Sequence, residues 1–148
     1  MGGHAYWYFA PYQEDMQQAL DELCAREFEA GRYNPIMRFF TFSEPEFSAQ
    51  RPGRNHETIE EAMEAAIEEG TRSILDIQSV GPEPDFGVAV PLPLERLRAM
   101  YETDKPTRAM MAERLDFLED IARGQCAYFV IYAQGRPSEL CSAGYSYD

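Results

Sequence analysis

Asp76 is the carboxylate most out of keeping with its neighbours, standing in Ser73 to Gln78 (Ser-Ile-Leu-Asp-Ile-Gln), a stretch that reads as a strand. A carboxylate among apolar side chains loses hydration, and that loss is one way a protein makes an acid or base for proton transfer. Tyr6, Tyr8 and Tyr128 fall on other predicted strands. Side chains alternate along a strand, so Tyr6 and Tyr8 share one face while Trp7 and Phe9 share the other. One chemistry these residues outline is a small-molecule site or minor enzyme: a phenol-lined pocket on the sheet, with Asp76 as acid or base. The plainer alternative is an aspartate at a strand edge facing water, with tyrosines filling the space between sheet and helices.

A second set is acidic. Glu57, Glu60, Glu61, Glu64 and Glu68 share the solvent side of a helix predicted over 58–69, and the nearest basic residues are Arg54 and Arg72. Like charges at three- and four-residue spacing each cost a helix roughly a few tenths of a kcal/mol, so this side gains from meeting a cationic surface. It reads as a docking face for a basic protein, in the manner of an inhibitor, immunity protein or adaptor. The competing account is a solvated helix whose charge keeps the chain in solution. The whole chain points the same way, with 26 acidic against 13 basic residues and a formal net charge of −13. Such a charge repels DNA, RNA and anionic lipid while speeding encounter with basic partners. No direct nucleic-acid partner is expected.

Other chemistry finds little support. The carboxylates Glu60, Glu64, Asp76, Asp116 and Asp120 are scattered without calcium-loop spacing, and His4 and His56 join no Cys/His cluster, so no metal and no cofactor is expected. Gly2-Gly3-His4 would suit Cu(II) or Ni(II) only with Met1 removed. Cys24, Cys126 and Cys141 form no Cys-x-x-Cys pair and fall on apolar stretches, where thiols are inert. Glycine-rich phosphate loops and the Gly-x-Ser-x-Gly elbow are absent. No apolar run reaches the roughly 20 residues that span a bilayer, and the N-terminus lacks a secretory pattern. The reading is a cytoplasmic protein with no membrane partner.

These groups need elements to hold them. The aromatic run 5–9 predicts a strand buried on both faces inside the sheet. Met16, Ala19, Leu20, Leu23 and Cys24 repeat on one face of a helix over 13–30, which Gly31 stops. Phe39 to Phe42 suggest a strand within a long loop. Ile59, Ala62, Met63, Ala66 and Ile67 mark the acidic helix, with Thr58 and Glu61 as a capping box. Residues 94–101 suggest a short helix, and Pro106 opens a longer one to Arg123. The apolar run 126–133, the turn Gly135-Arg136-Pro137 and the segment 140–147 make a C-terminal hairpin. The expected fold is α+β: one domain over 1–148, with a mixed or antiparallel sheet of about four to five strands and helices packed on it. Its last strand could be an edge, which leaves a strand-paired homodimer open.

Overall fold

The computed structural model describes residues 5–33, 57–69, 71, 73–114 and 119–146. In chain order these form β1 (Ala5–Pro11), α1 (Met16–Ala30), α2 (Ile59–Glu69), a 3-10 turn (Ile74–Asp76), β2 (Ser79–Val80) and β3 (Val88–Pro91). There follow α3 (Leu94–Tyr101), α4 (Arg108–Glu113), β4 (Cys126–Ala133) and β5 (Arg136–Tyr145). The strands make one mixed sheet in the order β1-β5-β4-β3-β2, with β1, β5 and β4 antiparallel and β4, β3 and β2 parallel. This is the expected α+β fold with its C-terminal hairpin.

Gln134 and Gly135 both take left-handed backbone, φ 53° and 75°, closing a two-residue turn of the kind that matches strand twist. The turn therefore lies one residue earlier than Gly135-Arg136-Pro137, and β5 begins at Arg136. A bulge between Ile131 and Tyr132 lets Pro137 pair with Tyr132. Parity then sorts the side chains. Tyr6, Tyr8, Cys126 and Tyr128 face a core built with Leu20, Leu23, Cys24 and Phe28 of α1, Ala62 of α2, and Ile74, Leu75 and Ile77. Phe9, Ala127, Phe129, Ile131, Cys141 and Ala143 face a second core with Leu97, Met100 and Tyr101 of α3 and Met111 of α4. Helices thus cover both faces.

The helix ends follow from local chemistry. The Asp15 side chain accepts from the Gln18 amide, and Gly31 at φ 71° donates its amide to the last turn of α1. Thr58 accepts from the Glu61 amide at 3.3 Å while Glu61 accepts from the Glu57 amide at 3.2 Å, a capping box set back by one residue.

Three expectations are corrected. Residues 73–78 are not a strand: the Ser73 hydroxyl accepts from the Leu75 amide and Asp76 from the Thr71 amide, which closes a 3-10 turn wedged against α1 and α2. The helix from Pro106 ends at Glu113. Arg114 is extended, with its carbonyl taken by the Tyr101 hydroxyl at 2.7 Å and its Nη1 donating to the Met100 carbonyl at 3.0 Å. Last, among the described strands β1 stands at the sheet edge rather than inside it, with Trp7 46% exposed, and β5, expected as a candidate edge, lies instead between β1 and β4, so the edge open to a second copy is not the last strand. The predicted strand at Phe39–Phe42 lies outside the described residues.

Gly144 on β5 has no room for a side chain. A Cβ there would come within 2.4 Å of the Gln125 carbonyl and 2.8 Å of the Tyr6 hydroxyl, and the first of these is backbone. Gly144→Ala is therefore expected to destabilise the fold by about 1–3 kcal/mol, read as a lower urea midpoint at unchanged slope.

Candidate functional site

Asp76 is buried, at 3% exposure, by the turn that carries it. Its Oδ1 accepts from the Thr71 amide and from Thr71 Oγ1, both at 2.7 Å, and Thr71 Oγ1 in turn meets Ser73 Oγ at 2.7 Å. The carboxylate thus ties residues 71–76 into one knot, a structural use for a group whose desolvation would otherwise be costly.

Tyr6 and Tyr8 lie against this knot from the sheet side, their rings 5.7 Å apart. Burial pushes both phenols up, Tyr6 well above the ordinary value, with Cys126 and Asp76 adding to its shift and Glu27 adding to that of Tyr8. The Tyr6 hydroxyl sits beside the Cys126 sulfur and makes no regular hydrogen bond among the described residues. Tyr128 is half-buried, and with Ser142, Ala89, Met16 and Leu20 lines a cavity of about 20 Å³. That is room for one water. The structure therefore brings Tyr6, Tyr8 and Asp76 together beneath α1, while Tyr128, packed against the same core, lines the small cavity beside Met16 and Leu20.

The acidic set is on the outside. Glu60, Glu61 and Glu64 are exposed along α2 and Glu57 just before it, and the side chain of Glu68 lies outside the described residues. Their neighbour α1 adds exposed Glu14, Asp15, Asp21 and Glu22. None of these eight forms an ion pair with a described cation. Asp21 and Glu22 are instead held by amides: Gln17 donates to Asp21 at 3.0 Å, while Gln13 and Gln18 donate to Glu22 at 2.7 and 3.1 Å, holding the Glu22 carboxyl below its usual range.

One residue of this layer escaped sequence reasoning. Glu27 is only 2% exposed, and its carboxylate holds both arginines of the α1 end. Arg32 grips it through Nε at 2.9 Å and Nη2 at 2.7 Å, and Arg26 Nε lies 3.1 Å from Oε2. The signal was present, since 20, 23, 24, 27 and 28 form one helical stripe and Glu27 occupies the fourth place in it. Arg26 and Arg32, the described cations at the end of α1, are thereby engaged by a buried carboxylate. On the opposite layer three arginines pair with carboxylates: Arg96 with Asp120 at 2.5 Å, Arg98 with Asp104, and Arg108 with Glu139 at 3.7 Å.

Among the described residues no three His, Cys, Asp or Glu side chains gather as ligands for an ion, and no helix is long and apolar enough to cross a membrane. His4, His56 and Asp116 lie outside the described residues. The fold and surface define an α+β protein with one strongly acidic helical layer. Comparison with protein-family models, curated proteins and solved structures finds no match.

Two outcomes are expected. Asp76→Ala leaves the Thr71 amide buried without its acceptor and should cost about 2–3 kcal/mol in chemical denaturation. The second concerns pH. Burial pushes the Cys24 and Cys141 thiols up to about 12, against roughly 8.5 for a free thiol. The folded chain keeps protons that the unfolded chain releases, so the thiols' contribution to stability is fully present below about pH 8.5 and is lost as pH rises towards about 12. Urea unfolding at stepped alkaline pH measures this, and iodoacetamide should label the thiols only after unfolding.

Proposed function

We propose that this protein is a binding module whose α1 and α2 surface docks a basic protein, in the manner of an inhibitor, immunity protein or adaptor. The observation that carries this reading is the pairing pattern: eight exposed carboxylates on α1 and α2 meet no described cation, while Arg26 and Arg32 are held by buried Glu27. Charge is also unevenly distributed along the chain. Residues 1–80 contain fifteen acidic and six basic residues, whereas residues 94–146 contain eight and seven. An acidic coat serving only solubility has no need of such asymmetry. A concentrated negative surface raises association rates with a cationic partner by tenfold or more at low salt, and screening removes that gain within about 10 Å at 0.1 M. The three free, buried cysteines fit a reducing compartment, and the proposed setting is the cytoplasm.

The rival reading, a small-molecule or catalytic centre on Tyr6, Tyr8, Tyr128 and Asp76, has in its favour the shared burial of three of these groups. Against it stands the size of the cavity that Tyr128 lines among the described residues, about 20 Å³, which is room for one water.

Immobilised protein exposed to native lysate, washed at low and then high salt and analysed by mass spectrometry for proteins and small molecules, separates the two. The docking reading expects a basic protein released by salt. It further expects Glu60→Lys, Glu61→Lys and Glu64→Lys together to slow that protein's association about tenfold or more while leaving the unfolding midpoint nearly unchanged. Binding indifferent to the triple reversal would place the interface elsewhere.

A further inference from the structure

Two side chains of α1 occupy hydrogen-bonding groups at opposite edges of the sheet. At the β2 edge the Gln17 carboxamide accepts from the Val80 amide at 2.9 Å and donates to the Gln78 carbonyl at 3.4 Å, as a neighbouring strand would. At the β1 edge Arg26 Nη1 donates to the Phe9 carbonyl at 3.0 Å.

The register of β1 shows what that second contact covers. The Tyr12 amide donates to the Ser138 carbonyl at 3.1 Å, continuing the pairing of Tyr8 with Ser142 and Ala10 with Leu140. In an antiparallel ladder such residues alternate, so the even-numbered ones turn their backbone groups to β5. Ala5, Trp7, Phe9 and Pro11 turn theirs outward, and Pro11 has no amide to offer. Among the described residues, the Phe9 carbonyl is the outward group that a side chain holds.

An aromatic edge of this kind is a template for another strand. It is also its own complement. A twofold axis at Trp7 sets Trp7 opposite Trp7 and Ala5 opposite Phe9 of a second copy, and the Ala5 amide of one copy then needs the Phe9 carbonyl of the other. We propose that Arg26 is an edge lock: by holding the Phe9 carbonyl it keeps β1 from pairing with the β1 of a second copy of this chain across that axis. Arg26 is suited to the task because Glu27 already fixes its Nε, so little freedom is lost in reaching Phe9. Mutual repulsion between two chains of charge −13 acts in the same direction and weakens with salt.

The chain contains one tryptophan, which reports on this edge. Sedimentation velocity and tryptophan emission of the full chain, at low and high salt, test the proposal. The unaltered protein is expected to sediment as a monomer. Arg26→Ala should double in mass as concentration rises, more readily at high salt, with a blue shift of the emission. Adding Ala5→Pro removes the amide that the pairing needs, keeps the reporter, and should restore the monomer. Arg26→Met, which retains the side-chain stem without its donors, gives the same reading if the alanine variant does not fold. A folded variant that stays monomeric with unshifted emission overturns the proposal. So does doubling that survives Ala5→Pro, or an unaltered chain already paired through Trp7.

Discussion

The pairing of β4 with β5 is the constraint from which the other arrangements follow. Both strands are central, with β1 on the far side of β5 and β3 on the far side of β4, so their register sets which side chains face which helical layer. With Cys126 opposite Gly144 and Tyr128 opposite Ser142, the α1 side receives mixed polar and small groups, and the other side receives Ala127, Phe129, Ile131, Cys141 and Ala143. A slip of one residue would exchange the two sets. The space for Tyr6 depends on the same register, because it opens only opposite a glycine. The bulge at Ile131/Tyr132 leaves Ser138 as the extra residue of β5, and its carbonyl accepts from the Tyr12 amide just past the end of β1.

Charge is arranged around the same framework. Removing a carboxylate from water costs several kcal/mol unless its partners are well placed, and Glu27 has a bidentate arginine and a second guanidinium. Glu60, Glu61 and Glu64 along the exposed side of α2, and Glu57 just before it, pair with no cation among the described residues. The helix is held by the contacts of Ile59, Ala62 and Met63 with the first core and by the Thr58 and Glu61 caps, which outweigh repulsions of a few tenths of a kcal/mol each.

Much of this architecture could be read from the chain. Helices α1 and α2 announce themselves because apolar residues recur at helical spacing beside recognisable stop or cap residues, and the hairpin does so through an apolar run followed by glycine and proline. What failed was decided by distant residues. An apolar run such as 73–78 has no periodicity to separate a strand from a buried turn, and Thr71 decided the matter. Likewise α4 ends where Tyr101 and Met100 hold Arg114, a contact invisible to local pattern. The aromatic run of β1 suggested a central strand, yet aromatics stabilise an edge equally well when one face is covered. Of the candidate site, the glutamates were legible as a group. Asp76 was legible only as an oddity, and Glu27 was hidden because an expected apolar position tolerates a carboxylate once two arginines converge on it.

The first described strand pairs with the last, Ala5 lying opposite Tyr145. A ribosome adds about 5–20 residues per second, so β1 emerges on the order of ten seconds before its partner exists. Through that interval an aromatic heptapeptide lacks its β5 partner, although α1 can already coil behind it. Closure of this sheet thus waits on synthesis of the β4–β5 hairpin, and until then the rings of β1 depend on whatever else shields them.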